Sequence, residues 1–238
     1  PGSRSRCRAI PVTRCRAGGT ALSTAGDAED VFPEVIETER LRLERCSRER
    51  VSTRALYDAA SDRSPTIDEE TEYLPWSPLD TLADAEERLA EFERQWGERE
   101  RAEWVVRPQG GEPGAGEFAG TAGLICRWDH DLALLAIWLR KPFWGRAYSG
   151  ERADALLSVA FDRLDVGVAA VPIHGENKRS RRAVERYVER HGGRYEGLLR
   201  NHAGRYDEPA DHHRFSVSRK EWRAADGAGT PVWYPDEE

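Results

Sequence analysis

The sequence predicts an α/β (α+β) fold, a mixed but largely antiparallel central sheet flanked by about four helices, and three stretches carry that expectation. Residues 118–128 and 132–140 read as two strands joined by the turn Asp129, His130, Asp131. Leu82, Ala85, Leu89, Phe92 and Trp96 recur at spacings of three and four, which lays one apolar stripe along a helix. Residues 149–164 repeat that helical spacing through Ala153, Leu156, Leu157, Ala160, Phe161 and Leu164, and the short apolar run 168–173 follows. A strand–helix–strand unit therefore sits at the centre of the chain.

The other elements follow in order. Residues 1–30 carry Gly, Ser, Thr and five arginines without apolar periodicity, and are expected to be a disordered Arg-rich tail. Residues 31–225 form the expected folded domain, and 226–238 a loose acidic C-terminal tail. Residues 35–45 read as one half-exposed strand with Leu41 and Leu43 on a single face. Ser47 is placed to cap a helix ending near Ala60. Residues 102–107 read as a strand, and 108–116, rich in Gly and Pro, as a hairpin loop. A helix from Asn177 to about Arg190 is stopped by Gly192 and Gly193, and 195–200 and 213–218 are the last strands. The expected order is β-α-α-β-β-β-α-β-α-β-β.

Composition removes several function classes. Apolar residues make up 39% and charged residues 33% of the 238, a globular balance. The longest apolar run, Leu132–Leu139, is far shorter than a membrane helix needs, so no membrane partner is expected. The formal charge is −7 although the first 26 residues are basic, so the body is more acidic still. An acidic body argues against a nucleic-acid face, which needs clustered cations. Cys7, Cys15, Cys46 and Cys126 form neither a disulfide framework nor a zinc pattern. Cys46 and Cys126 read as small buried hydrophobes in a reducing, cytoplasmic setting. His212 and His213 are adjacent on an expected strand and so face opposite ways. No metal is expected.

The chemistry concentrates between Leu132 and Ser180. The strand ending at Ile137, Trp138 and Leu139 runs into a loop holding Trp144, Gly145, Arg146, Ala147, Tyr148, Ser149 and Gly150, which opens directly into a helix. Such a loop turns free backbone N–H groups and the positive end of a helix dipole toward one spot, where a pyrophosphate can bind without lysines. It is neither a Walker loop nor a dinucleotide fingerprint, and an ordinary strand–helix turn has the same glycines.

Several motifs in register carry a resemblance. Ile36, Glu37, Thr38, Glu39, Arg40, Leu41, Arg42 and Leu43 open the domain, and Tyr73, Leu74, Pro75 and Trp76 follow. Trp138 and Leu139 then lead to Phe143, Trp144, Gly145, Arg146, Ala147, Tyr148, Ser149, Gly150, Glu151 and Arg152. Asn177 and Ser180 bracket an Asn-x-x-Ser, and the run from Gly193 through Gly197 to Arg200 comes last. From about residue 33 to 223 the chain resembles the ribosomal-protein acetyltransferase (RimJ/RimL-like) branch of the GNAT superfamily.

That resemblance implies a GNAT fold, acetyl-CoA as co-substrate, and a pyrophosphate loop falling on Trp144, Ala147 and Ser149. Ala147 stands where the family pattern expects glycine, and a positive φ there would cost about 1 kcal/mol or more. The strand through Ile137, Trp138 and Leu139 would pair its main chain with the pantetheine arm, because in this fold it splays from the next strand. Asn177 would face the cofactor arm, or cap its helix, or both. Ser180 is the catalytic candidate, donating to the departing thiolate, with a plain first-turn serine as the other reading. The tyrosine that many relatives use as the acid is Val184 here, and a strand glutamate that often serves as base is Leu134. Asp129, Asp131 and Glu117 lie near without singling themselves out. Tyr187 reads as core, and Glu151 and Arg152 as capping charge and surface. Arg179, Arg181 and Arg182 could neutralise the CoA ribose phosphate or form a solvated helix face.

The resulting expectation is transfer of an acetyl group to a primary amine, by direct attack in a ternary complex. A protein or peptide N-terminal α-amine is the first acceptor, a small amine the second, and the protein is a monomer or homodimer. An acyl-CoA sensor without turnover is the reading from another class, motivated by Ala147, Leu134 and Val184.

Overall fold

The computed structural model describes residues 31–205, 208–225 and 229–235; the Arg-rich tail expected over 1–30 lies outside the described residues. Val35–Glu37 (β1) and Leu41–Arg45 (β2) form an antiparallel hairpin in which Ile36 faces Leu43. The single strand expected over 35–45 is thus two. The turn between them is closed by Thr38, whose hydroxyl accepts from the Leu41 amide at 3.1 Å, so no glycine or proline marks it.

Three helices follow: Thr53–Ala60 (α1), Ile67–Thr71 (α2) and Leu82–Gly97 (α3). The cap of α1 is Ser52, accepting from the Ala55 amide at 3.1 Å, and not Ser47, which is buried in the preceding turn. Helix α3 begins in a capping box of Thr81 and Asp84 and buries Ala85, Leu89, Phe92 and Trp96. Leu82, at its exposed first turn, drops out of the stripe.

The strands Arg101–Pro108 (β3), Gly120–Arg127 (β4) and Leu132–Leu139 (β5) form a continuous antiparallel meander. Helix Tyr148–Ser158 (α4) runs on through one π-type turn at Val159–Arg163 and delivers the chain to Val168–His174 (β6), parallel to β5. Lys178–Arg190 (α5) leads into the hairpin of Arg194–Arg205 (β7) and Glu208–Ser218 (β8), with Arg219–Ala224 (α6) after it. The last two strands are longer than their apolar cores suggested, because backbone pairing continues past the buried segment to Arg205 and Glu208.

Among the described residues, eight strands lie in the order β1-β2-β3-β4-β5-β6-β8-β7, and only β5 and β6 pair in parallel. One face is covered by α1, α2 and α3, where Leu56, Ile67, Leu89 and Phe92 pack on Val105 and Trp138. The other is covered by α4 and α5, where Leu156, Leu157, Val184 and Tyr187 meet Trp104, Leu135 and Phe215. Cys46 and Cys126 are both buried, and burial drives both thiols well above their usual range, to about 12 for Cys126.

Part of the segment read as a loose tail is docked. Trp233 exchanges two 2.9 Å backbone hydrogen bonds with Glu37 on β1, and the Thr230 amide donates to Asp154 at 2.9 Å. A proline- and glycine-rich sequence does not advertise contacts made through its main chain. Among the described residues no helix is long and apolar enough to cross a membrane.

Candidate active site

Strands β5 and β6 share backbone pairing only from Leu132 to Leu134 and from Val168 to Ala170. Beyond these the strands part, and Leu135–Leu139 lose their neighbour on that side. Pro172, which has no N–H to offer, sits in β6 just past the last pair. The gap opens into two cavities, of about 730 and 340 Å³, and Ile137, Trp138, Asn177 and Ser180 line both.

The larger cavity is walled by the loop that enters α4. Gly145 has φ +79° and Ala147 φ +62°, and Ala147 is the N-cap residue of α4. No other described residue accepts a hydrogen bond from the amides of Gly145, Arg146 or Ala147. Tyr148 and Ser149, the first residues of α4, have no carbonyl one turn back to bond to. The loop thus presents a run of open amides at a helix N-terminus, an anion cradle of main chain. The price is local strain at Ala147, and Ala147→Gly is expected to stabilise the fold by about 1 kcal/mol, a Tm rise of about 2–4 °C. An unchanged or lower Tm on calorimetric scanning would show that the left-handed alanine is not strained.

The loop is braced from behind. The Trp144 indole donates to the Leu139 carbonyl at 2.7 Å, and the Arg179 guanidinium stacks 3.3 Å from the centre of its ring. Tyr148 is buried and its hydroxyl donates to Glu112 at 2.6 Å, away from the cavity. Glu151, also buried, accepts from the Thr38 hydroxyl and the Arg40 amide at 2.7 Å each and pairs with the Arg40 guanidinium at 2.6 Å. Arg40 in turn donates to the Arg146 carbonyl at 3.1 Å, so the β1–β2 turn holds the loop in place. Gly150 does not line the cavity; it faces Arg190 on the far side of α4.

On α5, Asn177 is the N-cap, accepting from the Ser180 amide at 2.9 Å. Arg179 and Arg182 line the larger cavity with Arg146, Lys178 and Arg186, a strongly cationic wall. Arg181 turns away to His213, at 3.3 Å. Trp138 sends its side chain to the opposite face, edge-on to Trp76 at 5.2 Å, and its indole donates to Glu70 at 3.2 Å. Only its main chain faces the gap with those of Ile137 and Leu139.

The smaller cavity passes through the sheet from the Tyr73–Trp76 loop to α4 and α5. Leu134 and Val184 line it, as do Glu103, Arg152, Tyr187, His174, His202 and His212. The carboxylate of buried Glu103 accepts from Arg101 at 2.7 Å, and a Cβ at Gly123 would lie 2.4 Å from it, so a side chain there would push the carboxylate aside. His212 stacks edge-on to His174 and His202, at 5.7 and 5.6 Å, while His213 faces the other way. The His212 Nδ1 lies 3.2 Å from the Ala210 carbonyl and must carry the proton, which leaves Nε2 as the acceptor. Burial, and then the neighbouring His174 and His202, hold the His212 pKa below its ordinary value, although the Ala210 carbonyl and Asp211 act the other way.

Two residues read as unremarkable take on weight here. Arg152, expected at the surface, is 1% exposed. Tyr187 is core by its ring, but its hydroxyl is buried beside Arg152 with no other partner. Neither could be picked out from spacing: a charged residue in a helix's second turn looks solvated unless the facing strands are known. Asp131 proves structural, its carboxylate accepting from the Gly167 amide at 2.7 Å. Asp129 and Glu117 line neither cavity. Among the described residues no group could hold a metal ion.

The comparisons with known proteins agree with this geometry. The profile of the acetyltransferase (GNAT) domain matches residues 40–187. The chain is similar to the structure of a GCN5-related N-acetyltransferase from Brucella melitensis, with 23% identity, 82% of each chain covered and a TM-score of 0.67. It shares its fold with RimL, a ribosomal L7/L12 α-N-protein acetyltransferase, at 14% identity over 79% of this chain and 95% of that one, TM-score 0.65. A third similar fold is the microcin C7 self-immunity acetyltransferase MccE, solved with acetyl-CoA and AMP, at 14% identity over 76% and 93%, TM-score 0.64. No curated protein matches the chain. The matched segment spans more than half of the sequence and includes the parted strands, the amide loop and α4, so this protein belongs to the GNAT family of acetyl-CoA-dependent N-acetyltransferases.

Proposed function

We propose that the protein transfers the acetyl group of acetyl-CoA to a primary amine, and that its preferred acceptor is a protein or peptide N-terminal α-amine. The observation that carries this reading is the meeting of two cavities at the unpaired edge of β5, with Asn177 and Ser180 lining both. One cavity suits a long, phosphorylated donor: open amides for a pyrophosphate, a cationic wall for a further phosphate, and a strand edge for the pantetheine amides. The other opens on the opposite face and admits the amine. RimL, a ribosomal L7/L12 α-N-protein acetyltransferase of similar fold, supports the choice of acceptor.

The chemistry needs a neutral amine and a stabilised leaving group. Ser180 donates its hydroxyl hydrogen to the sulfur as the carbon–sulfur bond breaks. His212 takes the proton that the amine loses, through Nε2 directly or by one water, and its lowered pKa keeps it neutral at pH 7. Activity then falls as pH drops through a midpoint below the usual histidine value of about 6.5, because the protonated ring can no longer accept. His212→Asn is expected to remove that limb and lower kcat by about 100-fold, with acetyl-CoA affinity retained. A variant that keeps both the limb and the rate would take His212 out of the mechanism.

The function itself is tested by incubating the protein with acetyl-CoA and a panel of peptides, polyamines and aminoglycosides, read by mass spectrometry. An acetyl group on peptide N-termini supports the reading. Acetylation of small amines alone would move the acceptor to that class, and no acetylated product with any amine would sink the transfer.

A further inference from the structure

Arg152 occupies the second turn of α4 at 1% exposure, and its Nε and Nη1 have no hydrogen-bond partner. No carboxylate among the described residues lies within ion-pairing distance of it. Asp154 is committed to His191, Arg190 and Thr230, and Glu103 to Arg101. The neighbouring Tyr187 hydroxyl is equally buried and has no partner beside the Arg152 guanidinium itself. A buried cation and a buried donor left open together are costly, and a fold retains such a pair where a ligand completes it. Both groups line the smaller cavity.

Their position says which part of a ligand reaches them. Along α5, Asn177 and Ser180 line both cavities, whereas Val184 and Tyr187, one and two turns further on, line only the smaller one, as Arg152 does. A donor whose pyrophosphate sits on the loop and whose sulfur lies by Ser180 directs its acyl chain past Val184 toward Arg152. The two carbons of an acetyl group stop short of the next turn.

We infer that Arg152 and Tyr187 form a carboxylate subsite at the inner end of the cavity, and that the site takes, beside acetyl-CoA, a CoA thioester of a short dicarboxylic acid. The inference rests on the acyltransferase reading above and adds a second acyl group to it. The amine nitrogen bonds to the thioester carbon, the carbon–sulfur pair leaves on sulfur, and the amine's proton passes to His212. The distal carboxylate takes no part in the bond changes; it is held by two guanidinium N–H groups and the phenol. Burial pushes the Tyr187 pKa up to about 12, so the phenol keeps its proton and remains a donor at neutral pH. The same carboxylate chemistry could arrive on the acceptor instead, and the donor series separates the two sources.

The test is calorimetric titration of the full chain with CoA, acetyl-CoA, butyryl-CoA and succinyl-CoA. Butyryl and succinyl groups match in length and differ in charge. Succinyl-CoA is expected to bind at least about tenfold tighter than butyryl-CoA, and Arg152→Met to bring that ratio to about one while leaving CoA affinity unchanged. Equal affinities in the unaltered protein, with CoA itself bound, would overturn the subsite's assignment to the acyl group and leave the transferase reading standing. No binding of any of the four would overturn both. The unaltered protein decides without the variant, so a failure of Arg152→Met to fold does not blur the outcome.

Discussion

Replacing Asp154, in the middle of α4, by alanine is expected to cost about 3 kcal/mol or more of folding stability. The carboxylate is fully buried and joins three separated pieces of chain. The His191 ring at the end of α5 lies 2.8 Å from Oδ1, Arg190 donates to the same oxygen at 2.5 Å, and the Thr230 amide donates to Oδ2 at 2.9 Å. Arg190 is partly exposed and recovers water when its partner goes, so most of the loss comes from His191, 1% exposed, and from the orphaned amide. Burial alone would raise the Asp154 pKa, but His191, Thr230 and Arg190 together outweigh it and the carboxyl titrates below its usual value. The stabilisation is therefore complete above the unfolded pKa near ~3.9 and is lost as pH falls through the lower folded value. Urea unfolding at pH 7 and across pH 2–5 on the unaltered protein, Asp154→Ala and Asp154→Asn checks both statements. A loss below about 1 kcal/mol, or an acid limb unchanged in the asparagine variant, would show that the three segments are held by packing alone.

Glu151→Ala is expected to damage stability and cofactor binding together. Removing the carboxylate leaves the Thr38 hydroxyl and the Arg40 amide without their acceptor and frees the Arg40 guanidinium, at a cost of about 3 kcal/mol. The same change releases the Arg146 carbonyl from Arg40, and with it the amide loop. CoA affinity is expected to fall about tenfold or more, because the open amides must then be ordered during binding. Glu151→Gln keeps the shape and one acceptor, and should lose about half of each effect. Denaturation and CoA titration on the two variants test the coupling. Full CoA affinity in a destabilised Glu151→Ala protein would mean that the loop holds its own shape.

Much of this was legible in the order of residues, and the reason is local periodicity. The α3 stripe, the β4–β5 hairpin and the α4–β6–α5 run announce themselves because burial on one face imposes a spacing that a reader can count. The strained alanine was legible through the resemblance, because the family's loop pattern expects glycine at that position. What failed to show is what depends on contacts from elsewhere. Glu103 sits among apolar strand residues and looks like a solvated face until Arg101, Gly123 and the cavity are seen around it. Arg152 looks like surface until Tyr187, 35 positions on, closes over it. The β1–β2 turn hid because a threonine side chain stands in for turn residues, and the 229–235 segment because its anchors are main-chain atoms.

Among the described residues, the parting of β5 from β6 leaves three residue pairs as the backbone rungs between the two halves of the sheet. On one side of this seam lie five strands under α1, α2 and α3, and on the other three strands under α5. Such a seam divides the molecule into two wings that can open as separate cooperative units, with amide hydrogen exchange faster along Leu135–Leu139 than in β4 beside it. On the proposed function, a donor threaded into the gap would supply the missing rungs. Binding there would join the wings mechanically as well as chemically.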